Sequence, residues 1–296
     1  MIRPAAVAAA CCLAGAVGLH TAEDSWFPAP DVDRPALLYV RTPSTVKRLS
    51  LGYDGIVADL YWIRALQHFG RERLSPPSHV RTYALLYPLL DLTTSLDPYF
   101  SIAYRFGAIF LGEPYPGGPG RPDLAVALLR KGIAGQPHKW QYMQDLGFVY
   151  YWHLQDYRTA AGWFQRASEV PGAPSWLGPL AAVTLAEGGH RAASRELWRR
   201  IAETDEEWLR DSARRRLTQL DAMDVIDQLQ ERVAAFQRAH PAQPPTWEAL
   251  RAAGLIKGQP LDPKGTPYVI DRTGRVTLSR ESALFPLPGQ KPGEQP

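Results

Sequence analysis

Histidines, paired acids and a glycine-rich run are the parts of this sequence whose types could do chemistry. The histidines are His20, His68, His79, His138, His153, His190 and His240. A helical metal site needs two ligands four residues apart on one face, and no two of these have that spacing. His-Glu-x-x-His and Cys-x-x-Cys-His are absent, as are a Gly-x-Ser-x-Gly elbow, a P-loop and a dinucleotide fingerprint. The run Gly117-Gly118-Pro119-Gly120 has no Lys-Ser/Thr after it, so it is not a phosphate cradle. Asp205 and Glu206 lie among arginines and read as a solvated helix face. His68 and His153 fall near the ends of helical patterns, where capping or packing accounts for them. The only cysteines are Cys11 and Cys12, which leaves the body without a disulfide framework or a cysteine metal site. The expectation is a chain with no catalytic, cofactor or metal residues, hence not an enzyme.

The unusual chemistry is aromatic. Trp140, Tyr142, Phe148, Tyr150, Tyr151 and Trp152 crowd one helical segment. Successive residues point about 100° apart on a helix, so these side chains cannot all face one core. The elements that position them must be helices. The chain has 296 residues, 45% hydrophobic and 21% charged, ordinary for a folded protein, and Ala, Leu and Arg dominate its middle. Net charge is +3. The densest basic cluster, Arg214 to Arg216, sits close to Asp205, Glu206, Glu207 and Asp211, which argues against nucleic-acid binding.

The N-terminus reads as an address. Arg3 precedes an apolar run from Ala5 to Leu19, followed by Glu23 and Asp24, the pattern of a signal peptide or short signal anchor over 1–22. Fifteen or so apolar residues are short for a bilayer span, which needs about 20. Ala8-Ala9-Ala10-Cys11 loosely resembles a lipobox, so cleavage, lipidation at Cys11 and retention at the membrane all stay open. Residues 23–50, rich in Pro and Asp, predict an extended tether.

Residues 51–220 carry repeats. Leu146-Gly147-Phe148-Val149-Tyr150 is followed by Ala160, Phe164, Ala167 and Pro171, with one extra residue near Leu154-Gln155. This resembles the tetratricopeptide (TPR) signature, in which small residues let two antiparallel helices approach and aromatics fill the space between them. Upstream, Phe106-Gly107, Phe110, Ala125, Leu129, Gly132 and Pro137 form a second unit. It is split by the long loop Gly112 to Pro122, an insertion of the kind that is often functional. Leu180-Ala181, Gly188-Gly189, Ala193 and Leu197 form a degenerate third. From Gly107 to Gly147 is 40 residues and from Gly147 to Ala181 is 34, the latter being the TPR period. A divergent pair, Tyr53–Gly70 and about Val80–Leu96, precedes these, and 206–220 predicts a capping helix. The segments ADLYWIRALQHFG and LDPYF with AYRFGAIFL also resemble those of exported bacterial TPR proteins. The resemblance implies an all-α fold, a TPR-like α-solenoid of about four helix pairs with a small C-terminal α+β module. It also implies a concave surface receiving Gln141, Gln144, Phe148, Tyr151 and Trp152, joined by Tyr104: an apolar groove edged by amides, suited to a protein partner.

Residues 221–283 predict a small module: a helix over 221–239, a short helix from Trp247 capped by Thr246, and a hairpin pairing Val269-Ile270 with Val276–Leu278. Its Asp262-Pro263-Lys264-Gly265-Thr266-Pro267-Tyr268 turn is similar to the globular end of type II secretion pseudopilins, although no prepilin leader accompanies it. Residues 284–296 read as a disordered tail. The expected function is a non-catalytic protein-binding scaffold of the bacterial cell envelope, exported or anchored facing the periplasm and assisting assembly of a secretion or pilus-like machine. A structural subunit of a larger membrane complex or filament is the alternative, and an enzyme with an unrecognised site is a third.

Overall fold

The computed structural model describes residues 12–15, 17–18 and 42–288. Most of the leader and most of the tether expected from sequence therefore lie outside the described residues. So does 289–296 of the expected tail. The described body is helical in the main, with one two-stranded sheet. In order it runs α1 (Pro43–Leu49), α2 (Asp54–Leu74), α3 (Leu86–Leu96), α4 (Ser101–Gly112), α5 (Pro122–Gly135) and α6 (Trp140–Phe148). A π-helical turn follows (Val149–His153), then α7 (Tyr157–Ser168), α8 (Leu177–Glu187), α9 (Arg191–Ile201), α10 (Glu207–Ala239), α11 (Trp247–Ala252), β1 (Tyr268–Ile270) and β2 (Val276–Leu278). No helix among the described residues is long and apolar enough to cross a membrane.

Local signals set these boundaries. Pro43 and Pro122 open α1 and α5, where a missing N–H costs nothing. Asp156 accepts from Thr159 N to cap α7, and Thr246 accepts from Ala249 N to cap α11. Each helix from α2 to α10 packs on the next in sequence, and α3 also touches α5 as α4 touches α6.

Buried apolar side chains gather in three clusters. The first runs from Val46 to Val149, the second from Ala160 to Leu220, and the third from Ala222 to Leu287. Gly107 and Gly147 mark the closest approaches. A Cβ on Gly107 would come 2.9 Å from both Leu128 and Leu90, and one on Gly147 would come 2.4 Å from the ring of Phe164. Both glycines thus stand where packed side chains leave no room for a methyl.

Several expectations need correction. The second helix of the first pair begins at Leu86 and not near Val80. Residues before it are held as irregular chain, with Thr82 N donating to Glu72 Oε2 at 2.7 Å and Arg81 donating to the Ser75 and Pro116 carbonyls. The expected helices over 206–220 and 221–239 are one helix of 33 residues, because no Gly or Pro interrupts Glu207–Ala239. Residues 43–49 of the tether are helix α1. At the other end, Leu284 and Leu287 are buried in the third cluster and so belong to the C-terminal module. Gln219 fixes them, donating to the Leu284 and Pro286 carbonyls at 2.6 and 2.9 Å. The hairpin forms with Tyr268 opposite Leu278, and Gln230 of α10 pins it through Gly274 O and Val276 N.

Gly147→Ala should lower stability by about 1–3 kcal/mol, the usual cost of overpacking, although Ala is intrinsically the better helix former by about 1 kcal/mol. Gly162→Ala, on α7 with nothing within 4 Å of the added methyl, should be neutral or stabilising. Chemical denaturation of the two variants separates these outcomes.

Candidate functional site

The aromatic segment is shaped by the π-helical turn. Leu154 N bonds to Val149 O, one residue further back than in an α-helix, and Asp156 N closes on Tyr150 O. The residue that sequence placed as an insertion near Leu154-Gln155 is absorbed in this turn, and Gln155 follows it in the left-handed region at φ 51.

Three aromatic layers follow from core to surface, with Tyr151 set against the outermost. Phe164 is fully buried over Gly147. Phe148 meets Phe164 edge-on, centroids 5.0 Å apart, and Trp152 lies flat on Phe148 at 4.5 Å with 9° between planes. Tyr151 stands edge-on to both Trp152 and Tyr157. Its hydroxyl donates to Glu187 Oε2 of α8 at 2.6 Å, and burial together with that carboxylate pushes the phenol up to about 12. Trp152 caps this stack with 63% of its surface exposed. Gln141, Gln144 and Phe148 are half-buried and lie three and four residues apart, on one face of α6. Five of the six residues expected to line a groove therefore cluster on α6 and its π-helical turn.

The sixth does not join them. Tyr104 is 2% exposed. Its ring packs against Tyr142 at 5.1 Å and over Gly132, whose missing side chain makes the space, and its hydroxyl donates to Thr94 O. Burial pushes its phenol up to about 12. Tyr104 is a core residue.

Two groups that matter here were not singled out from sequence. Glu187 is the anchor for Tyr151, and nothing in its local sequence marks it, since the contact exists only once α6 and α8 are placed. The other is the pair Arg105 and Asp145, joined by two bonds of 2.5 and 3.1 Å between α4 and α6. Their separation of 40 residues equals the Gly107–Gly147 spacing, so the period itself carried that signal. Burial pushes the Asp145 carboxyl up against the pull of Arg105.

His68, His153 and His240 pack against the chain's own residues. His68 is buried partway along α2 and not near its end, with Nε2 lacking a hydrogen-bond partner. His153 packs against Gly112, where a Cβ would come 2.8 Å from Nε2. His240 stacks on Phe236. Among the described residues no three His, Cys, Asp or Glu side chains gather as a metal site.

No protein-family model, curated protein or solved structure matches the chain.

Burial holds the His68 imidazole below its ordinary value of 6.5, with Glu72 opposing and Arg71 reinforcing the shift. A depressed histidine favours the neutral form in the fold, so its contribution is complete above 6.5 and is lost as pH falls below it. The melting temperature should drop on mild acidification, and His68→Leu should flatten that drop, leaving the part due to His153, which burial also depresses. Equal pH slopes for variant and parent would contradict this role.

Proposed function

We propose that the chain is a non-catalytic scaffold that binds a protein partner through the aromatic face of α6 and its π-helical turn. In this reading α2 to α9 form a TPR-like solenoid of four helix pairs. The run of contacts between successive helices, and between helices two apart, supports it. The α10 helix and the hairpin then close the C-terminal end.

The observation that carries the reading is Trp152. A tryptophan mostly exposed yet stacked flat on Phe148 is already ordered before any partner arrives. Ordering a free side chain on binding costs about 0.5–1.5 kcal/mol, so a pre-stacked ring keeps more of its contact energy. Tyr151, tied to Glu187, stops the turn from rotating the ring away. Gln141 and Gln144 supply donors and acceptors beside the apolar stack, the combination an extended peptide or partner helix needs. A location in the cell envelope rests on the Arg3 to Asp24 pattern, with the partner then an envelope protein.

Trp152→Ala should weaken affinity for the partner by roughly thirtyfold, the cost of removing a 2 kcal/mol anchor, with the thermal transition nearly unchanged. A photo-crosslinker at position 152 should capture that partner, and one at Gly162 should not. A sharp loss of melting temperature in Trp152→Ala with affinity preserved would make Trp152 a packing residue and end the groove reading.

A further inference from the structure

An apolar face remains on α2 that the fold does not use. Tyr53, at the helix entry, and Ile56, Leu60 and Ile63 follow a three-four-three spacing, and all are exposed. The opposite side of the helix is spent on the chain's own core, where Ala58, Ala65, Phe69 and Glu72 are buried. A second row, Tyr99 just before α4 and Ile102, Phe106 and Ile109 on it, has the same spacing and is likewise exposed. Aromatic contacts link the two helices. Trp62 of α2 stacks on Phe110 of α4 at 6.3 Å, and Phe110 in turn touches Phe106. Solvent-facing large apolar side chains at this density mark an interaction surface.

The charges beside the α2 row select the occupant. Written as a heptad, Tyr53 and Leu60 take position a, and Ile56 and Ile63 take position d. Asp59 then falls at g and Arg64 at e, five residues later, flanking the row on opposite sides. In a parallel pair of helices g faces the following e of the partner, which sets Asp59 of each copy against Arg64 of the other. An antiparallel pair would set each flank against its own kind and leave the two charges apart. Both side chains are exposed. Neither takes part in an ion pair within the chain among the described residues, and Arg64 lies only over the Tyr61 ring at 5.7 Å.

We propose that this face is a self-association surface, on which a second copy of the chain packs with its α2 parallel to the first. The row spans two heptads, too few for a tight coiled coil, so the dimer exchanges with monomer and its population rises with concentration. The pairing is independent of the partner-binding reading, since α6 and Trp152 take no part in it.

Sedimentation of the full chain over a concentration series tests this. The parent should shift from monomer to dimer. Asp59→Arg, which opposes like charges at two symmetric positions, should weaken association by about tenfold or more. Adding Arg64→Asp to that variant should restore it, and Leu60→Glu should abolish it, all with melting transitions close to the parent's. A parent that stays monomeric throughout would overturn the proposal. So would a double variant as dissociated as Asp59→Arg alone, or a monomeric parent that floats with lipid vesicles through Leu60 and Ile63.

Discussion

The close approach of the Phe164 ring to Gly147 is the constraint on which the described site depends. With no side chain at 147, α7 can bring Phe164 to within 2.4 Å of where a Cβ would stand. That fixes Phe164, which offers its edge to Phe148, which in turn carries Trp152. Each ring limits the freedom of the one above it, so an exposed tryptophan inherits order from a glycine three layers below. The π-helical turn is needed for the same reason. It holds the end of α6 in place for one residue longer before the chain turns into α7, keeping Tyr151 within reach of Glu187.

Beyond that contact, the helices are tied by polar bonds that repeat at one spacing. Arg105 reaches Asp145 across 40 residues, and Lys131 reaches Asp91 across the same 40, adding Thr94 and Ser95 hydroxyls. Such half-buried, multiply bonded pairs specify register more than they stabilise, since desolvation offsets much of their attraction. The long loop after α4 is secured differently. Arg73, Arg81 and Tyr83 donate to the Gly117 and Pro116 carbonyls, closing the loop onto the last turn of α2 and the chain that follows it.

How much of this was legible in sequence depends on whether a residue acts through its neighbours in the chain or through packing. Gly147, Ala160 and Phe164 were legible because close helix approach demands small residues at fixed spacing: Gly147 meets the Phe164 ring, and Ala160 is buried in the same cluster as Phe164. The hairpin and the Thr246 cap were legible because turn chemistry is local. Tyr104 was not. It stands three residues before Gly107, as Gln144 stands three before Gly147, yet one is buried and the other half-exposed. The difference is Gly132, which opens a space that the Tyr104 and Tyr142 rings enter. Nor was the fate of Leu284 and Leu287 visible, since a segment rich in proline carries no period, and Gln219, which holds it, lies about 65 residues away. The unbroken α10 was hidden by a change in its hydrophobic phase, as its first half serves one cluster and its second half another.

The most direct measurement of the central claim is a double-mutant cycle between Gly147→Ala and Phe164→Leu, read as free energies of unfolding. If the Phe164 ring is what forbids a side chain at 147, the alanine should cost far less when the ring is gone. The coupling should then reach at least about 1 kcal/mol, within the 0.5–3 kcal/mol seen for residues in contact. Additive effects, with Gly147→Ala equally costly in both backgrounds, would show that something other than this contact sets the spacing of α6 and α7, and the account of how Trp152 is presented would fall with it.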